Sequence, residues 1–104
     1  MSETERLNGR SPDLRADVLL YATAEGGRKG PILPGYGCPC IISKSGALRG
    51  WDARLLLGDG PMYPGDRRRL GFVFLSPEAI PLMLSAGSFF LWEGRFIGEA
   101  TIFD

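Results

Sequence analysis

The sequence predicts an all-β fold, a closed six-stranded antiparallel barrel behind a flexible N-terminal leader, and three observations lead there. Fifteen glycines and eight prolines are spread so evenly through the 104 residues that only residues 13–25 run beyond a dozen without either. Each interior Gly costs a helix about 1 kcal/mol and each Pro about 3, so long helices are excluded. The segments between these breakers are rich in β-branched, aromatic and Leu residues with partial alternation, the pattern of short strands joined by turns. Six such segments fit the chain and suit a small closed barrel or a sandwich, because closure removes the edge strands that would otherwise aggregate.

Residues 1–14 carry only Met1, Leu7 and Leu14 as sizeable apolar groups and cannot bury enough surface to offset ordering; they are read as the leader, with the barrel over 15–104. The first strand is Arg15 to Thr23, with Ala16, Val18, Leu20 and Ala22 on one face. A turn-rich stretch from Glu25 through Gly37 leads to a strand around Cys40 to Lys44, which Ser45-Gly46 closes. The third strand, Trp51 to Leu57, ends at Gly58-Asp59-Gly60-Pro61. In Tyr63-Pro64-Gly65-Asp66, Pro fixes φ at the first central position and Gly supplies positive φ at the second, a type II turn. Arg67 to Leu75 follows, with Leu70, Phe72 and Phe74 on one face. Ser76-Pro77-Glu78 reads as a helix start, and Pro81 is expected to stop it after about one turn. Ser88 to Trp92 and Arg95 to Phe103 form a closing hairpin around Glu93-Gly94.

Composition bounds the function as well. With 44% apolar residues the chain supports one core and one domain. Twelve basic against twelve acidic residues argue against binding a polyanion through bulk charge. Histidine is absent, which removes His-based triads, His-liganded metals and imidazole acid-base chemistry. No run approaches the roughly 18 apolar residues of a membrane span and the polar start lacks a signal-peptide pattern, so the expectation is a cytoplasmic protein with no membrane partner. Cys38-Pro39-Cys40 leaves a zinc site two ligands short and reads as two buried free thiols, so neither a metal nor a cofactor is expected.

Three features are candidates for binding. Gly26, Gly27, Arg28 and Lys29 form a turn whose amides and cations could meet a phosphate; the alternative is a connection needing positive φ at both glycines. Arg67-Arg68-Arg69 is the densest basic run, but a strand puts Arg67 and Arg69 on one face and Arg68 on the other, as at a solvated barrel rim. Phe90 and Trp92 share one side of their strand while Phe89 and Leu91 share the other, so both faces are apolar. One set fills the barrel; the other needs a cover, from the leader, the 25–37 loop, a second subunit or a partner. The carboxylates Asp59, Asp66 and Glu93 lie beside glycines in turns, and no nucleophile-base pair is present to suggest an enzyme.

Three turns also recur in a fixed order: Glu25-Gly26-Gly27-Arg28, Tyr63-Pro64-Gly65-Asp66 and Glu93-Gly94-Arg95-Phe96-Ile97-Gly98. In this the chain resembles the C-terminal barrel, domain 3, of elongation factor Tu and related translation GTPases, over roughly Ala16 to Ile102. The resemblance implies a six-stranded barrel and places the Arg28 turn where the family meets the T-stem of aminoacyl-tRNA. It also differs from the family: Lys29 and Gly30 stand where a His and a Thr or Ser are usual, and Trp92 stands for an Arg. No Gly-Lys-Ser/Thr phosphate-binding loop occurs, so GTP is not an expected ligand. The expected function is a non-catalytic binding module, with a protein partner or self-association through the aromatic face favoured. RNA binding or mimicry of a translation factor is the alternative, and an enzyme of unknown reaction is the distant one. The residues expected to carry binding are Gly26, Gly27, Arg28, Lys29, Arg67, Arg69, Trp92 and Arg95.

Overall fold

In the computed structural model, which describes residues 11–58 and 60–104, the alternating segments become six strands. These are β1 (Leu14–Leu20), β2 (Gly37–Ile41), β3 (Gly50–Leu56), β4 (Arg67–Phe74), β5 (Ser88–Trp92) and β6 (Phe96–Ile102), with a single 3-10 turn at Thr23–Glu25 and one helix, α1 (Ala79–Ala86). They close into an antiparallel barrel in the order β1-β4-β3-β2-β5-β6, with β6 pairing back onto β1. The expected six-stranded antiparallel barrel is therefore the fold.

Alternation decides what fills it. Leu14, Ala16, Val18 and Leu20 of β1, Leu70, Phe72 and Phe74 of β4, and Phe89 and Leu91 of β5 are all buried in one core. Phe72 stands edge-on to Phe89 at 5.1 Å between ring centres. A register irregularity between Leu91 and Trp92 breaks strict alternation in the β5–β6 pair, and Ile97 and Ala100, three residues apart, both reach the core. No polar or charged residue is buried among the described residues.

Four sequence expectations shift. Leu14, assigned to the leader, is the buried first residue of β1, which ends at Leu20 instead of Thr23. Asp13 is drawn onto β4: its N–H donates to Phe72 O at 2.8 Å and its carboxylate accepts from Phe74 N–H at 2.8 Å. Residues 1–10 of the leader lie outside the described residues, as does Asp59.

The second strand spans Gly37–Ile41, three residues earlier than expected, and so includes Pro39. Leu55 N–H donates to Tyr36 O. This phase turns residues 36, 38 and 40 toward β3 and Pro39 toward β5, where pairing starts only at Cys40, so its missing N–H interrupts no ladder bond.

Pro81 does not stop the helix after one turn. It is the third residue of α1, where an N–H has no intrahelical partner to lose, so eight residues form before Gly87 (φ 79°) ends the helix with its N–H on Met83 O. Glu78 precedes the first helical residue without a side-chain cap. The helix seats Ala79 and Met83 in the core.

The fourth concerns the glycines of the first turn. Gly26 has positive φ (92°), but Gly27 does not; a Cβ there would lie 1.9 Å from Tyr21 O, so it is close backbone approach that requires glycine.

Candidate functional site

The three turn motifs, separate in sequence, meet at one end of the barrel. Gly65 has the expected positive φ (93°), and Asp66 N–H closes its turn on Tyr63 O at 2.9 Å. Gly65 N–H then donates to Leu20 O at 2.7 Å and Leu20 N–H to Asp66 O at 3.0 Å, fastening this turn to the end of β1. Tyr21 N–H donates to Ile97 O at 2.9 Å, fastening the same point to β6. From the closing hairpin, Arg95 Nη2 donates to Gly27 O at 2.9 Å.

Arg28 is the hub of this end. Its Nε donates to Glu93 Oε1 at 3.1 Å, and its Nη1 donates to Pro31 O at 2.6 Å and Gly30 O at 3.3 Å. The guanidinium lies 5.2 Å from the centre of the Tyr36 ring, and the Tyr36 hydroxyl donates to the other Glu93 oxygen, Oε2. Burial, joined by the hydrogen bond to Glu93, pushes the Tyr36 phenol well above the ordinary tyrosine range, while the Arg28 charge opposes the shift. The turn's amides are engaged too: Gly26 N–H meets Thr23 O and Gly27 N–H meets Ala22 O. They are therefore not available as a phosphate cradle.

Around this hub the surface is apolar as well as charged. Ile32 and Met62 pair in an isolated bridge and are buried, while their neighbours Leu33 and Tyr63 are 58% and 54% exposed. Lys29 is exposed beside Arg28. A shallow depression beside Arg28 is lined by Arg28, Pro31, Ile32, Leu33, Pro34 and Tyr36.

The remaining candidates take other partners. Arg67 reaches Asp17 at 3.8 Å, and Arg69 lies across from Asp17 with its guanidinium 4.7 Å from the centre of the Phe103 ring. Arg68 turns the other way and donates to Leu57 O and Pro61 O at 2.8 and 3.1 Å. The three arginines form no common patch, as alternation predicts. Trp92 is half-buried and stands edge-on to Phe96 at 4.9 Å, outside the barrel. Beside it, Phe90 and Phe96 are covered by the ammonium of Lys44, which was not among the covers the sequence suggested.

Cys38 and Cys40 are free and buried, 5% and 0% exposed. Hydrogen bonding with Cys40 lowers the Cys38 thiol's pKa despite burial, while the same bond and deeper burial push Cys40 well up. Among the described residues no group of three or more Cys, Asp or Glu is placed to hold a metal. No described helix is long and apolar enough to cross a membrane.

Sequence reasoning found Arg28 and Arg95 but passed over Tyr36 as part of the site, and it took Glu93 for a solvated turn residue. Their pairings span 57 and 65 residues, with no local pattern to announce them. Comparison with known proteins returns no matching family model and no matching curated protein.

Proposed function

We propose that the chain is a non-catalytic binding module whose turn-lined end docks a protein partner. The supporting observation is a contrast within that end: its arginines are engaged internally while its apolar side chains face solvent. Phosphate recognition needs donors that are free to turn outward. Two of the three Arg28 nitrogens are held by Glu93, Gly30 and Pro31, Arg95 is held by Gly27, and both glycine amides are bonded. Leu33 and Tyr63, by contrast, offer apolar and aromatic surface of the kind protein interfaces bury. The resemblance to a translation-factor barrel agrees with a module that binds, and the zero net charge favours protein over RNA.

The test is affinity purification of the tagged protein from its native cells, after nuclease treatment and with washes at about 0.15 M salt, where surface charge is already screened beyond roughly 8 Å. A stoichiometric protein partner that survives the washes is the expected result. Recovery of nucleic acid without nuclease and of no protein with it would overturn the reading in favour of RNA.

A further inference from the structure

We propose that Tyr21, Phe90 and Phe96 form a receptor for an alkylated ammonium group, and that Lys44 is its tethered, displaceable occupant. The Lys44 Nζ lies 4.7 Å from the centre of the Phe90 ring, 5.1 Å from Phe96 and 5.2 Å from Tyr21, and donates to the Tyr21 hydroxyl at 3.3 Å. A cation within about 6 Å of an aromatic centre is attracted by the negative face of the ring, and three rings around one cation is the arrangement that suits quaternary ammonium.

The receptor and its occupant differ in how firmly they are held. Phe90 and Phe96 stand on neighbouring strands of the barrel wall, edge-on to each other at 5.7 Å, with Trp92 edge-on behind Phe96. Lys44 belongs to the loop between β2 and β3, where residues 43–49 are all exposed. Its neighbours Ser43 and Ser45 bond to each other, Ser45 N–H to Ser43 Oγ at 3.2 Å, and Gly46 turns the chain at φ 76°. Phe90 and Phe96 are thus preorganised by the sheet, and Tyr21 is held next to it by its N–H on Ile97 O, while the lysine can swing out on its loop.

The chemistry favours a methylated cation over the primary ammonium now seated there. A primary ammonium carries three donors and has to shed water to sit on rings, where among the described residues only the Tyr21 hydroxyl accepts from it. Methyl groups donate nothing, and a quaternary ammonium fills the same space as an apolar cation. Glu99, directly across from Phe90 in the β5–β6 register, adds a carboxylate to that face and favours positive charge. Both a choline-type head group and a methylated lysine side chain carry this chemistry. The inference does not rest on the protein-docking reading, which concerns the Arg28 end.

The test is an NMR titration of the full chain, at constant ionic strength, with choline, with N-acetyl-trimethyllysine amide and with 3,3-dimethyl-1-butanol, the uncharged shape analogue of choline. Saturating shifts at Tyr21, Lys44, Phe90 and Phe96 with a cation and not with the alcohol are expected, and the tighter of the two cations identifies the source. Lys44→Ala should bind about two- to thirty-fold more tightly, since it removes the internal competitor, and Phe96→Leu should weaken binding by a similar factor. If Phe96→Leu does not fold, Tyr21→Leu, at the edge of the barrel wall, takes its place. Equal shifts with choline and the alcohol, shifts that never saturate, or a Lys44→Ala protein with unchanged affinity would each overturn the proposal.

Discussion

At one end of the barrel, Arg28, Tyr36, Glu93 and Arg95 tie the first turn to the closing hairpin by hydrogen bonds, and Gly65 and Asp66 fasten their own turn to Leu20 at the end of β1; at the other, α1 seats Ala79 and Met83 in the core that holds Phe74 and Phe89. The first end is a matter of donors, acceptors and backbone geometry, and much of it is in contact with water: the Arg28 and Glu93 side chains are 23% and 44% exposed. The second is a matter of volume excluded from water. The two ends should therefore fail in different ways. Loss of an apolar group removes contacts that nothing replaces, whereas loss of a half-exposed ion pair lets water take its place.

The largest effect should come from the packed end. Phe89→Ala, at a fully buried ring edge-on to Phe72, is expected to cost about 3–5 kcal/mol in chemical denaturation. A loss below that of the turn-end variants would break the contrast. Next comes backbone geometry at the turn end. Gly27→Ala drives a Cβ into Tyr21 O and should cost about 1–3 kcal/mol, while Gly30→Ala, with open space and no positive φ, should stay within about 0.5 kcal/mol. Equal effects would show that the Gly27 approach is not a constraint.

A titration sharpens the comparison further. The folded state raises the Tyr36 pKa, so the native protein holds a proton that the unfolded chain releases above about pH 10. Stability contributed by the neutral phenol is complete below that pH and is lost as pH rises beyond it. Tyr36→Phe should therefore flatten the alkaline limb of the stability curve. An unchanged slope would mean that Tyr36 titrates alike in both states. The smallest effect belongs to the Arg28–Glu93 pair, where a double-mutant cycle should give a coupling of about 0.2–1 kcal/mol because both side chains are partly solvated.

How much of this could be read from the chain depended on how local each feature is. The six strands were legible because alternation and turn residues act over a few positions, and Pro64-Gly65 and Glu93-Gly94 turn the chain where they were expected to. Pro81 misled because a proline's cost depends on where in the helix it falls, and β2 begins before Pro39, three residues earlier than expected, because that nitrogen faces β5 where no ladder bond is lost, which only the distant partner strands decide. The same limit applied to the site. Arg28 and Arg95 stood out as turn cations, but that they face inward depends on Glu93 and Gly27, 65 and 68 residues away. Lys44 carried no signal at all, since the rings it covers come from β5, β6 and the residue after β1.

The proposed docking uses Leu33 and Tyr63 of the turn-lined end and not its cations. It is tested most directly by purifying partners on three baits side by side: the unaltered chain, a Leu33→Asp, Tyr63→Ser double variant, and Lys29→Ala. Both altered sites are exposed, so stability should change by no more than about 0.5 kcal/mol at each. The account predicts a protein partner on the unaltered chain and on Lys29→Ala that is lost from the double variant. Retention by the double variant together with loss from Lys29→Ala would contradict it.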